Sequence, residues 1–321
     1  MNQIYTILLS LLLPGVLFSQ SFLLASDSDN LIGKLYNHNI SNNSSFLNSI
    51  DSVTAVVSGD NVEIPKWYDM FTNIPGDYLR FSKQTFTTDN IPAILGIAAA
   101  TAGLIAADNI TYKYQHEKIY ASNDFSRKSS DLFTELGDGR TQFSLAAAFA
   151  AYGFIGKDAR ALRTASQIVQ AVLSAGTVVQ VLKHTTGRES PVVSTSPTGI
   201  WKFFPSILDY HKKIPAFDAY PSGHVATSLA AFTVIAENYP EYKWIRPVSY
   251  SVVALIGFSM VNRGEHWYSD YPLGIVLGYS FGRLAAHSEK KHQDQNSPKF
   301  TYSLTPYLGS LGTGVSFSAN F

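Results

Sequence analysis

From residue 91 onward the chain is dominated by six Ala- and Val-rich stretches, at residues 91–107, 142–156, 166–183, 225–238, 248–261 and 273–286. Runs of this length and composition are too long for strands, and six helices is the simplest count. With 45% hydrophobic and only 15% charged residues, a packed core is expected, and the fold class read from these stretches is all-α. The separators carry turn chemistry, as at Gly137-Asp138-Gly139, and residues 187–221 form a connection long enough to be functional. No internal repeat is visible. Lys+Arg and Asp+Glu both total 24, so the chain lacks the basic field of a nucleic-acid binder. With no Cys, thiol catalysis, disulfides and thiolate metal sites are excluded.

The ends read differently. Residues 4–18 form an apolar run followed by Ser19-Gln20-Ser21, which predicts a signal peptide over 1–20 and export to a periplasm; an uncleaved anchor is the alternative. Residues 21–90 read as an N-terminal extension, rich in Ser, Asn and Asp from Ser26 to Val62 and expected to be disordered. The helical domain is placed at 91–288. In the tail at 289–321, Val315, Phe317, Ala319 and Phe321 alternate with polar residues, and Gly309, Gly312 and Gly314 supply turn material, which predicts a short β-hairpin. Most apolar stretches fall short of the ~20 residues that span a bilayer. In the stretch at 166–183, Gln167, Gln170, Ser174 and Thr177 line one side and Ile168, Val172, Ala175 and Val179 another. That polar stripe favours a membrane-associated bundle in the periplasm and leaves integral insertion in the inner membrane open.

Three clusters carry chemistry. In Lys183-His184-Thr185-Thr186-Gly187-Arg188-Glu189-Ser190-Pro191 a helix ends on one cation and a Gly turn presents a second, an arrangement suited to an oxyanion or to capping a helix C-terminus. Pro221-Ser222-Gly223-His224 leads into a helix whose first N–H groups form an anion site, with Ser222 as N-cap and His224 placed to donate a proton. In Asn262-Arg263-Gly264-Glu265-His266-Trp267-Tyr268-Ser269-Asp270, a carboxylate four residues after His266 can hold one ring nitrogen and free the other. Pro272 places this pair before the regular helix.

Lys followed by Gly-Arg and Pro, then Pro-Ser-Gly-His, then Gly-x-His-x-x-x-Asp resembles the three-part signature of the type 2 phosphatidic acid phosphatase superfamily, which also holds bacterial acid phosphatases and vanadium haloperoxidases. The resemblance spans roughly residues 91–286. It implies a bundle of about six helices, with His266 as nucleophile, Asp270 as its orienting partner and His224 as general acid. Lys183, Ser222 and the Gly223 N–H would bind phosphate. Two family arginines are absent: Ser190 stands before Pro191, and Met260 stands six residues before His266. Arg188 and Arg263 are the expected replacements.

The implied reaction is hydrolysis of a phosphomonoester or pyrophosphate, on a phosphorylated lipid, isoprenoid or small molecule, through a phosphohistidine and without metal or cofactor. A vanadate-dependent haloperoxidase and a non-catalytic phosphate-binding relative are the alternatives. Trp201, Phe203, Phe204 and Tyr220 read as packing residues, and Gly137-Asp138-Gly139-Arg140 as a turn that could rim the pocket.

Overall fold

A computed structural model describes residues 65–288 and the strands at 301–309 and 312–320. The expected signal peptide at 1–20 and the polar stretch from 26 to 62 lie outside the described residues. Ten α-helices are present among the described residues: α1 (Asp69–Thr72), α2 (Ile74–Thr85), α3 (Ile91–Lys118), α4 (Asp124–Gly137), α5 (Gly139–Gly156), α6 (Ala159–Thr186), α7 (Ile207–Lys212), α8 (Gly223–Asn238), α9 (Ile245–Arg263) and α10 (Tyr271–Ala286). Each of the six apolar stretches lies within one of them, but the helices are more numerous and longer than expected. The N-terminal extension needs the same correction, because helix already begins at Asp69. Asp77 of α2 is fully buried, ion-paired to Arg80 and bonded by Gln170 of α6 at 2.7 Å.

Polar residues account for the extra length. A helix continues through a polar position when that side chain finds a partner inside. The side of α6 that carries Gln167, Gln170 and Ser174 faces the interior rather than water. Gln167 accepts from Asn238 of α8 at 2.7 Å, and Asn238 also donates to Thr164 at 3.0 Å. Helix α3 is built the opposite way to a helix in water. Its buried residues are Thr101, Asp108 and Gln115, seven apart and all polar, whereas Ile91, Ile94, Leu95 and Ile110 are exposed. At 28 residues each, α3 and α6 are about 42 Å long. Three helical segments, Thr88–Ser122, Ala159–Thr186 and Ile245–Arg263, are long and apolar enough to cross a membrane. The argument from short stretches to a bundle in water therefore does not stand.

Helices α6, α8 and α10 enclose the main core, in which Ile168, Val172, Ala175 and Val179 meet Ala226, Ala230 and Val234, with Leu277 and Phe281 closing the third side. A stripe of Gly274, Gly278 and Gly282 lets α10 approach α8 closely: a Cβ on Gly278 would lie 2.3 Å from the carbonyl oxygen of Ala226. A second cluster joins Val225 and Leu229 of α8 to Val253 and Val261 of α9 and to Tyr271. Between α6 and α8 the long connection contributes only α7 and short 3-10 turns. Strands β1 (Thr301–Gly309) and β2 (Gly312–Asn320) pair antiparallel, with Thr301 opposite Asn320 and Gly309 opposite Gly312.

Packing this close predicts that Gly278→Ala destabilises the fold by about 1–3 kcal/mol. Gly96→Ala on α3, where an added Cβ meets nothing within 4 Å, should not destabilise and should raise stability by up to about 1 kcal/mol. Unfolding of the two purified variants against the parent chain measures both.

Candidate active site

Helix ends bring the three sequence clusters together. Gly187 caps the end of α6, Ser222 is the N-cap of α8, and Gly264 caps the end of α9. Main-chain bonds then tie the clusters pairwise. Ser222 N donates to Asp270 O at 3.0 Å, Val192 N to Gly264 O at 2.9 Å, and Ala219 N to Arg188 O at 3.0 Å. The indole of Trp267 donates to Glu189 O at 2.8 Å. Gly264 is a left-handed cap with φ 77°, where a side chain would also meet Tyr112 and Val192 within about 3.1 Å. It turns the chain sharply enough that His266 follows two residues after the cap.

His266 is buried, and its Nδ1 lies 3.3 Å from Asp270 Oδ2. As expected from Pro272, the pair precedes the regular helix: Tyr268–Asp270 is a 3-10 turn and α10 starts at Tyr271. Asp270 Oδ2 also accepts from Trp267 N at 2.7 Å, which fixes the carboxylate. With Nδ1 held, Nε2 of His266 is the nitrogen left for chemistry. The ring of His224, on the first turn of α8, stands 6.4 Å from that of His266, centroid to centroid. Lys183 comes from the last turn of α6, is almost fully buried, and reaches Asp218 at 3.4 Å. A Cβ built on Gly223 would lie 3.8 Å from Lys183 Nζ, so this cation sits beside the N-terminus of α8. Ser222 is fully buried and accepts from Val225 N. Gly137 packs against the His224 side chain, which places the Gly137–Arg140 turn at the edge of the cluster.

The structure thus brings together Lys183, Ser222, Gly223, His224, His266 and Asp270. The two replacement arginines are occupied elsewhere. Arg263 donates to Asp131 at 2.8 Å and to Glu265 at 2.7 Å. Arg188 is fully buried and forms ion pairs with Asp270 and Asp108, with further bonds to Ser269 Oγ at 2.6 Å and Thr198 O at 2.7 Å. Its guanidinium also lies over the rings of Trp201 and Trp267, 4.9 and 5.5 Å from their centroids. Ser190 and Met260, where the family arginines would stand, are buried. Asp108 escaped the sequence reading because it directly follows an apolar stretch. The one available signal was a carboxylate adjoining a long apolar helix, which in a bundle calls for a partner.

Residues 164–294, the region that carries all three clusters, match the family model described as PAP2 superfamily. Over 116 residues, 36% of the chain, it is 31% identical to a lipid A 1-phosphatase of Rhizobium johnstonii, covering 43% of that protein. A lipid A 1-phosphatase of Porphyromonas gingivalis is 34% identical over 70 residues, which is 22% of this chain and 16% of that one. The chain therefore aligns with less than half the length of these curated relatives. The crystal structure of Aquifex aeolicus LpxE superposes with TM-score 0.40 at 17% identity, covering 55% of this chain and 92% of that one. A transmembrane PAP2 type phosphatidylglycerolphosphate phosphatase from Bacillus subtilis gives TM-score 0.41 at 16% identity, covering 71% and 98%.

Burial, with His266 and Lys183 nearby, pushes the His224 imidazole down from 6.5 to about 4. Without a ligand His224 is therefore neutral at pH 7, and a bound dianion would offset those causes and raise it. His224 ring resonances should titrate near pH 4 in the free protein and at a higher pH with orthovanadate or phosphate present. The folded value lies below the unfolded one, so the unfolded chain binds more protons between pH 4 and 6.5. Stability should fall as pH drops through that window, and less steeply in His224→Gln.

Proposed function

We propose that this chain is a phosphatase that hydrolyses a phosphomonoester or pyrophosphate, on a lipid or isoprenoid, by way of a phosphohistidine at His266. The observation that carries this reading is the pairing of two histidines with different partners beside one helix N-terminus. His266 is held at Nδ1 by Asp270, while His224 lies 6.4 Å away, ring to ring, with Lys183 and the first N–H groups of α8 alongside.

Each step follows from that arrangement. The lone pair on His266 Nε2 attacks phosphorus in line with the leaving oxygen, the P–O bond breaks, and His224 gives its proton to the departing alkoxide. Asp270 stabilises the positive charge that develops on the His266 ring. Water then attacks the phosphohistidine and passes a proton to His224, and phosphate leaves as the bond to Nε2 breaks. Lys183 and the N-terminus of α8 compensate the oxygen charge in both steps. No step calls on a metal or a cofactor. Because His224 is neutral in the free protein, the proton for the leaving group comes in with the monoanionic phosphate ester or is taken up when the dianion binds.

The lipid part of the proposal rests on α3, whose buried residues Thr101, Asp108 and Gln115 are polar while Ile91, Ile94, Leu95 and Ile110 are exposed. A helix of that kind is suited to lipid contact, so we place the enzyme in a membrane, exported with its site on the periplasmic side. The curated relatives named lipid A 1-phosphatase support a phosphorylated lipid as substrate.

The test is phosphate release in detergent with a chelator present, from a phosphatidic acid, an isoprenyl pyrophosphate and p-nitrophenyl phosphate. We expect release from at least one lipid substrate, none from His266→Ala, and a loss of about 10²–10⁴-fold in His224→Ala. Release that persists in His266→Ala, or halide-dependent peroxide consumption after vanadate loading with no phosphatase activity, would overturn the proposal.

A further inference from the structure

Behind the nucleophile lies a buried ion cluster of which the reaction above uses only Asp270. Asp108 comes from α3, outside the residues 164–294 that match the family model. Its Oδ2 accepts from Arg188 Nη2 at 2.8 Å and from the Ser269 hydroxyl, and its Oδ1 accepts from Ser269 N at 3.2 Å. Arg188 continues the chain through Nη1, which bonds both Ser269 Oγ and Asp270 Oδ1. Asp108, Arg188, Ser269 and Asp270 are all fully buried. Four of the five guanidinium N–H donors are thereby committed to protein acceptors. Arg188 acts as a strut between two carboxylates.

The charges decide what the strut does. Two carboxylates and one guanidinium leave a net charge of about −1 behind His266. If Asp108 were neutral, the sum would be zero, and Arg188 would bind Asp270 with its whole charge. Asp270 would then lend less negative potential to the imidazole. Resting on the reading of His266 as nucleophile, we propose that Asp108 is a positioning residue. It shares Arg188 with Asp270, and so both aims the His266 ring and keeps it basic enough to attack.

The other charged and titratable groups facing His266 stay constant in the test. They are His224 on α8 and Tyr271 on α10, whose rings stand 6.4 and 6.3 Å from that of His266, centroid to centroid.

Asp108→Asn keeps the side-chain shape and leaves Arg188 paired with Asp270, so no lone charge is buried. We expect kcat to fall about 10–100-fold, as when outer partners of functional histidines are removed, with KM within about threefold of the parent. The low-pH limb of the kcat profile, which reports the group that must be unprotonated, should move to lower pH. Asp108→Glu should restore that limb. Arg188→Lys keeps the charge but loses the planar fork, so kcat should fall, and adding Asp108→Asn should cost little more. A lower kcat with an unmoved limb makes Asp108 merely structural and overturns the proposal. If Asp108→Asn does not fold, full kcat in Arg188→Lys overturns it.

A readout independent of turnover separates this inference from the phosphatase reading. The His266 ring resonances, assigned by their loss in His266→Gln, should titrate at lower pH in Asp108→Asn than in the parent. An unmoved midpoint overturns the inference. A moved midpoint in a chain that hydrolyses no phosphate ester supports the coupling and rejects the phosphatase reading.

Discussion

The buried bridge from Asp108 through Arg188 to Asp270 is the contact on which the site depends. It joins α3, the turn after α6 and the 3-10 turn before α10, three elements far apart in sequence. Carboxylates and a guanidinium taken out of water are stable only when every partner is in place, and removing one from such a pair costs about 3–5 kcal/mol. The bridge is therefore more a specifier of geometry than a source of net stability. Its effect is to fix the carboxylate that holds His266, while Trp267 N bonds the other oxygen of that carboxylate.

The helical core supplies the other half of the site. Glycines on α10 let that helix lie against the backbone of α8, and Val179 of α6 packs beside Gly223. The N-terminus of α8 is thus set between Lys183 on one side and His266 on the other. A helix start is an anion site by its geometry, but here the surrounding burial also makes the His224 proton weakly held. Packing, local dipole and proton affinity converge on one turn of helix.

Much of this was legible in the sequence. The three motif clusters named the residues that come together, because helix caps and turns are local features with local signals. Helix α4 was missed although Asn123 caps it by accepting from Ser126 N, since no long apolar run marks its length. The N-terminal boundary was missed for a related reason: α2 is short and polar, and its burial depends on Gln170, which only the fold brings near. The apolar runs understated helix length wherever polar residues turn inward, most clearly at Asp108 and Gln115 of α3. Arg188 was assigned to phosphate because spacing along the chain says nothing about where a long side chain points, and its partner Asp108 lies 80 residues away. Long-range charge pairing was the part the sequence could not show.

The central claim is that His266 forms a bond to phosphorus. Brief incubation with a lipid phosphate carrying ³²P in its terminal phosphate, followed by an alkaline quench that preserves phosphohistidine, tests it directly. The account predicts one labelled peptide containing His266, labelled more heavily in His224→Ala if the slower step there is attack by water, and no label in His266→Ala. Turnover of the same substrate with label absent from His266, or present on another residue, would contradict it.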